Sequence, residues 1–218
     1  MSANKLSVPL LEILAPAGDM ECLHAALKAG ADAVYFGLAS LNARRRARNL
    51  SSRELPAAVQ AAHDSGAKAY LALNVDIAER EIGQAARALE LALQAGVDAV
   101  LVRDPALIRL RPRFREMEWH ASTQCAAANS EDVAALRDLG FSRVVLAREM
   151  SLAEIAAASA VPGIETEVFV QGALCFSVSG RCLLSSWGGS RSGNRGTCTS
   201  PCRVPWTIAG AEAGSKLD

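Results

Sequence analysis

Four times along the chain an amphipathic Ala/Leu-rich stretch runs into a glycine and then a short apolar run. The segments are AGADAVYFG, SGAKAYLAL, AGVDAVLV and LGFSRVVLA, with glycines at Gly30, Gly66, Gly96 and Gly140. A glycine after an amphipathic segment reads as a helix C-cap, and the apolar run behind it as a buried strand. The spacing of roughly 30–45 residues is that of a βα unit. Extended along the chain, the pattern predicts strands at Glu12–Ala15, Ala33–Gly37, Ala69–Asn74, Ala99–Arg103, Glu118–Ser122, Arg143–Arg148 and Glu167–Gln171. Helices are predicted at Met20–Lys28, Ser52–Asp64, Glu79–Gln94, Pro105–Arg111, Ser130–Asp138 and Ser151–Ser159. Ser151 stands three residues before Glu154, a capping-box spacing, and Ser130 leads into Glu131-Asp132. Pro112 is expected to end the fourth helix.

Strands that are apolar throughout and alternate with helices call for a parallel sheet covered on both faces. About seven such units predict an α/β fold of the TIM-barrel type, in which chemistry gathers at the C-terminal ends of the strands. An open doubly wound sheet is the competing architecture. It carries a Gly-rich phosphate loop after its first strand, which LAPAGDMECL matches poorly. The expected organisation is a flexible tail (1–9), a barrel domain (10–172), a Cys-rich segment (173–206) and a C-terminal tail or truncation point (207–218). No eighth strand is visible, so the barrel is expected to be truncated or open.

Lys+Arg and Asp+Glu balance at 23 each, so the whole-chain charge selects no partner and only local patches speak. The N-terminus lacks a signal-peptide h-region, and no apolar stretch approaches a membrane span. A cytoplasmic protein is expected. There, clustered cysteines bind metal or do redox work more often than they form disulfides.

Four of the six cysteines fall in ALCFSVSGRCLLSSWGGSRSGNRGTCTSPCR, at Cys175, Cys182, Cys198 and Cys202, spaced C-x6-C-x15-C-x3-C. Thiolates suit iron–sulfur clusters or zinc, and the spacing lacks the paired C-x2-C knuckles of a zinc ribbon. Buried or oxidation-prone free thiols are the plain alternative. The segment follows strand seven directly and should lie across the barrel mouth. Strand ends place His120 and Gln124 (strand five) and Arg148 and Glu149 (strand six) there as candidate catalytic groups, with Asn74 after strand three. Adjacent in an extended strand, Arg148 and Glu149 should point to opposite sides. The NARRRARN loop after strand two offers Asn42, Arg44, Arg46 and Arg48 for phosphate or carboxylate; a solvated loop is the alternative. Glu12 and Glu167 are expected at the opposite rim in a stabilising role. Cys125 with His120 is the best candidate pair for a nucleophile reading; a small apolar residue at a helix start is the alternative for Cys125. Cys22 is expected in the core, and His24 and His63 are expected to be inert. The run Arg109, Arg111, Arg113, Arg115 reads as an outer helix face. No H-E-x-x-H, G-x-S-x-G or Walker A motif occurs.

The segment EVFVQGALCFSVSGRCLLS resembles the signature of the collagenase-like peptidases, peptidase family U32. EILAPAGDMECLHAALKAGADAVYFG, HASTQC, FSRVVLARE and SGNRGTCTSPCR resemble further family blocks in order. The resemblance implies oxygen-independent hydroxylation. Family branches act on a cytidine of ribosomal RNA, on the tRNA wobble uridine, or on the ubiquinone ring. It also implies a 4Fe–4S cluster, with zinc the alternative cofactor, and prephenate as a small carboxylate co-substrate of the RNA-modifying branches. Cys175, Cys182 and Cys198 match the first three ligand positions, and Cys202 matches the fourth as the RNA-modifying branches have it. Gln171 stands where relatives carry His, which sets this chain apart. Relatives also continue past residue 218 with a block that would supply an eighth strand. An RNA substrate (rRNA or tRNA) is therefore expected, read as an unpaired base. An accessory protein or a second copy of the chain is expected to complete the site. The alternatives are a peptidase (hydrolase), as the family name says, or a non-catalytic iron–sulfur or zinc module.

Overall fold

The computed structural model describes residues 11–173, 175–189 and 191–206. The expected tails at 1–9 and 207–218 lie outside them. Seven parallel strands run in strict chain order: β1 (Leu14–Pro16), β2 (Ala33–Gly37), β3 (Lys68–Leu73), β4 (Ala99–Val102), β5 (Glu118–Ala121), β6 (Arg143–Val145) and β7 (Glu165–Glu167). Between them lie α1 (Met20–Lys28), α2 (Leu55–Asp64), α3 (Ile82–Ala95), α4 (Pro105–Ile108), α5 (Ser130–Asp138) and α6 (Leu152–Ser159); a short α7 (Leu184–Gly189) follows β7.

The local chemistry explains the boundaries. Asp19 caps α1 by accepting from Cys22 N–H at 2.8 Å, and Ser151 and Glu154 form the expected capping box on α6. Asn129, rather than Ser130, caps α5, accepting from Asp132 N–H. Gly30, Gly66, Gly96 and Gly140 all have φ between 74° and 94°, the left-handed geometry that a C-cap glycine supplies. α4 stops at Ile108, before Pro112, which instead lies in a 3-10 turn at Arg111–Arg113.

The pleat separates two apolar surfaces. Val34, Phe36, Leu71, Leu73, Val100, Val102, Trp119 and Val144 pack on the helices in one large cluster. Ala33, Tyr70, Ala99, Leu101 and Val145 form a smaller cluster on the other face. That second face is concave. Arg143 on β6 reaches Glu12, just before β1, with Nη1 to Oε1 at 2.5 Å. Across a flat sheet those strands would stand roughly 24 Å apart, so the sheet curls into the expected TIM-barrel-like form. β1 and β7 are its two ends.

β1 begins two residues later than expected, at Leu14, and α2 and α3 each three later, at Leu55 and Ile82; the departures that bear on the site are in β6 and β7. β6 and β7 are shorter, and β7 lies two residues earlier, ending at Glu167. Strand pairing stops where its partner stops: Val145 pairs with Glu167, and one further bond joins Leu146 N–H to the Glu167 carbonyl. Val168, Phe169 and Val170, read as strand from their apolar run, are exposed instead. Cys22 is also exposed, a correction to its expected place in the core; its neighbour Leu23 faces inward. No helix among the described residues is long and apolar enough to cross a membrane.

Candidate functional site at the C-terminal rim

The Cys-rich segment crosses the C-terminal rim as a strap, fixed at several points to the loops that follow different strands. Ser179, fully buried, donates its N–H to Glu149 Oε1 at 2.7 Å, and its hydroxyl lies 3.3 Å from Glu149 Oε2. Arg148 Nε and Nη2 donate to the same hydroxyl at 3.3 and 3.2 Å. Arg148 and Glu149 thus converge on one residue rather than diverging, because β6 has already ended and the backbone no longer alternates. Gly180 (φ 73°) lies so close to the Gln124 backbone that a Cβ would stand 2.1 Å from its carbonyl oxygen. Gly196 (φ 74°) meets the Asn42 carbonyl in the same way, at 2.2 Å. Both positions demand glycine on two counts, backbone angle and space. Arg195 completes the set, donating to the Asp76 carbonyl at 2.7 Å and to Glu81 Oε1 at 2.5 Å.

The NARRRARN loop is shaped by its asparagines. Asn42, buried, donates to the Leu38 carbonyl and to Asn49 Oδ1, and accepts from Arg44 N–H at 2.8 Å. Asn49 Nδ2 reaches the carbonyls of Arg44, Arg45 and Ala47. Asn42 is therefore a structural knot, and the loop it ties presents Arg44, Arg45 and Arg46 outward. Their side chains have no hydrogen-bond or ion-pair partner among the described residues. Arg48 pairs with Asp19 at 2.8 Å. Asn74 joins this loop to β5, accepting from Ala43 N–H at 2.9 Å and donating to Ser122 Oγ at 3.3 Å.

His120 does not open onto the rim. It is fully buried on the concave face, edge-on to Tyr70 at 4.9 Å, with Nε2 3.2 Å from Glu118 Oε2. Burial, reinforced by the charge of Arg143, pushes its pKa down to about 4, so it is neutral at pH 7. Nδ1 has no partner among the described residues. Gln124 sits at the rim, its backbone under Gly180. Its side chain lines a cleft of about 340 Å³ together with Asp76, Arg103, Phe141 and Arg181. Gln171 is exposed on the bend after β7. Cys125 is a poor nucleophile: burial pushes its thiol up to about 11, and Sγ lies 3.6 Å from the Val102 carbonyl, with no bond to His120.

The sequence reading missed the network around Arg143. This buried guanidinium binds Glu12, Glu165 (2.6 Å) and Glu167 (3.8 Å) and lies over the Tyr70 ring. The signal was present: a lone arginine opening an apolar strand, with acidic residues at the starts of β1 and β7. Glu12 pairs with Arg143 just before β1, whereas Glu167, expected to open β7, ends it, and burial raises its pKa to about 7. His63 likewise pairs with Asp98 at the surface, at 2.9 Å.

The four thiols of the strap are right in kind for a cluster, being free of disulfides. Burial alone would raise the Cys198 pKa, but hydrogen bonds from Ser185 Oγ (3.5 Å) and Ser200 N–H (3.3 Å), with the Arg44 charge nearby, hold it below the ordinary thiol value. They are not gathered, however. Among the described residues no three His, Cys, Asp or Glu side chains are placed to hold a metal ion.

Residues 18–217 match the model of peptidase family U32. The chain is 39% identical over 198 residues to the 23S rRNA 5-hydroxycytidine C2501 synthase of Escherichia coli, covering 91% of this chain and 30% of that protein. It is 39% identical to tRNA hydroxylation protein P of the same organism (90% of this chain, 44% of that protein). It is 35% identical to a Porphyromonas gingivalis protein named collagenase (98% and 54%). The chain therefore spans about a third to a half of the length of these relatives. Among solved structures, a U32 peptidase superposes with a TM-score of 0.63 over 78% of this chain and 72% of its own, at 19% identity, which supports the fold.

Proposed function

Starting from peptidase family U32, to which this chain belongs, we propose that it is the core of an oxygen-independent hydroxylase acting on a pyrimidine base of rRNA or tRNA in the cytoplasm. The observation that carries this reading is the strap itself. Four free thiols are tied across the strand ends beside a rim loop of unpaired guanidiniums, in a chain whose relatives include proteins named for rRNA and tRNA hydroxylation.

In this reading Arg44 and Arg46 hold RNA phosphate or the carboxylates of prephenate. Single-stranded RNA is read as a splayed base, which we place in the cleft lined by Gln124 and Arg181. Arg148, Glu149 and Asn74 act by position, holding the strap and the arginine loop. Cys175, Cys182, Cys198 and Cys202 would hold a 4Fe–4S cluster, which supplies electron transfer when bound. As placed, the sulfurs do not form a finished coordination shell. A partner protein or second copy would complete the site.

A peptidase reading finds little here, since its one candidate pair, Cys125 and His120, consists of a buried protonated thiol and a buried neutral imidazole that do not touch. The deciding experiment is mass spectrometry of RNA from a strain lacking the gene. Loss of one hydroxylated pyrimidine, restored by the gene, is expected. An unchanged modification profile overturns the proposal.

A further inference from the structure

Every exposed aromatic side chain among the described residues falls after β7: Phe169, Phe176, Trp187 and Trp206. The barrel keeps its aromatic rings inside; Phe36, Tyr70, Phe114, Trp119 and Phe141 are buried, and Tyr35 is half-buried. The same stretch is cationic. Residues 168–206 hold Arg181, Arg191, Arg195 and Arg203 and no Asp or Glu, in a chain whose total charges balance. Single exposed apolar residues need no explanation, but a set confined to one strap and interleaved with arginine does.

Two of the four rings stand on one folded unit. α7 carries Trp187, 80% exposed, and packs on the turns at Gly193–Arg195 and Pro201–Arg203. Ser185 of α7 accepts from Thr199 N–H at 3.2 Å, and its hydroxyl meets Cys198 Sγ at 3.5 Å. Trp206, 56% exposed, donates its indole N–H to the Pro201 carbonyl at 2.9 Å. That donor is satisfied, so the exposed part of the ring offers a ligand π surface. The unit abuts the arginine loop: a Cβ on Gly196 would stand 3.0 Å from Arg45 Cβ. Arg181 and Arg191 are exposed, and their side chains, like those of Arg44, Arg45 and Arg46, have no hydrogen-bond or ion-pair partner among the described residues.

We infer that Trp187 and Trp206 form a stacking platform for the unpaired nucleotides that flank the target base, with Arg191 and the rim arginines on their phosphates. This rests on the RNA reading given under the proposed function, and it narrows the substrate to a single-stranded loop or tail. A base drawn into a pocket leaves its neighbours without a stacking partner, and aromatic side chains replace what is lost. Every base has a π face, so such a platform tolerates sequence. In a duplex those faces are covered by the adjacent pairs. Tryptophan beside arginine also suits an anionic membrane, but a membrane takes helices with a broad apolar face. α7 is six residues long, four of them Ser or Gly, and offers it one ring.

The test uses the full chain and a fluorescein-labelled oligouridine of about twelve nucleotides, within the span of a single-strand site, read by fluorescence anisotropy. Trp187→Ala should weaken binding about tenfold, the worth of one stacked base. The factor should be the same at every salt concentration, because no charge is removed. Arg191→Ala should instead reduce the slope of log K against log salt by about 0.7. Trp206→Ala should resemble Trp187→Ala, and Trp206→Phe, which keeps a ring, should retain most of the binding. Leu152→Ala, a comparably exposed apolar change on α6, should alter nothing. Tryptophan fluorescence gives a second readout. Unlabelled oligouridine should quench the wild type, whereas Trp187→Phe with Trp206→Phe, which leaves only the buried Trp119, should bind without quenching.

Trp187→Ala binding as tightly as wild type overturns the platform, and so does equal affinity for oligouridine alone and for its duplex with oligoadenine. Either result leaves the hydroxylase reading to the RNA mass spectrometry. An unchanged modification profile beside tryptophan-dependent binding of oligouridine overturns the hydroxylase reading alone. Two further outcomes give the rings to another occupant and overturn the inference: tryptophan-dependent binding to phosphatidylglycerol vesicles with none to oligouridine, or a dimer in solution that Trp187→Ala splits.

Discussion

The backbone N–H of Ser179 donates to Glu149 Oε1 at 2.7 Å, joining the thiol strap to the end of the sixth strand across thirty residues of chain. Ser179 is fully buried and Glu149 carries the charge, so the bond is of the charge-assisted kind. Glu149→Ala leaves the Ser179 donor without its acceptor, at a cost of about 1–3 kcal/mol. Hydrogen exchange by mass spectrometry should show residues 175–200 exchanging faster, with strands β2–β5 unchanged. Protection equal to wild type across the strap would refute this anchoring.

Arg143→Met should be among the most destabilising changes in the chain. It leaves Glu165 and Glu167 without their cation and Glu12 with only Lys68, at 3.7 Å. Breaking such a network by removing one partner costs about 3–5 kcal/mol. Urea unfolding followed by circular dichroism measures it. A double variant that also carries Glu12→Gln should recover part of the loss.

Glu167 gives the fold a pH dependence of definite sign. Burial raises its pKa to about 7, outweighing the pull of Arg143. A carboxyl whose pKa is raised on folding favours the native state below its unfolded value, near 4.5, and that contribution is lost as the pH climbs through 7. Glu167→Gln stays neutral. Relative to wild type it should gain about 1–3 kcal/mol between pH 5 and pH 8. His120 works oppositely. Its contribution is present above pH 6.5 and is lost as the pH falls through about 4, a window that overlaps that of Glu167, so the Glu167 effect is read as the difference between Glu167→Gln and wild type, in which His120 is common to both. Equal differences in melting temperature between Glu167→Gln and wild type at pH 5 and pH 8 would contradict the assignment.

Two glycines of the strap make a matched pair. Gly180→Ala forces a Cβ into the Gln124 carbonyl and strains a φ of 73°, whereas Gly188→Ala in α7 meets nothing within 4 Å. The first should cost about 1–3 kcal/mol and loosen the strap; the second should be neutral or slightly stabilising. Limited proteolysis between residues 173 and 200 distinguishes them.

If the rim arginines contact RNA phosphates, each is worth about 0.7 in the slope of log K against log salt for a single strand. Arg44→Ala with Arg46→Ala should reduce that slope by about 1.4, measured by fluorescence anisotropy with a labelled oligoribonucleotide. A slope equal to that of wild type removes both residues from the RNA-binding role.

Much of the scaffold was legible because its signals are local. α1 and α5 match the predicted spans to the residue, as helix-starting polar groups and C-cap glycines flank them. The site was less legible because it depends on where strands stop. His120 was placed at the rim by its position in β5, but the pleat turns it to the concave face against Tyr70. Val168–Val170 reads as strand, yet β6 offers no backbone for it to pair with. The convergence of Arg148 and Glu149 on Ser179 could not be read from a two-residue alternation that had already ended. Asn42 and Asn74 read as ligand contacts in the sequence; their partners are backbone groups, Asn49 and Ser122, and their work is to fasten one loop to another.

The rim loop owes its shape to Asn42 and Asn49, which bind the backbone of the residues between them. Arg44, Arg45 and Arg46 contribute only main-chain atoms to that knot. Their side chains can therefore be exchanged without refolding anything. A lineage could change what it attracts at this edge one charge at a time while the barrel beneath stays as it is.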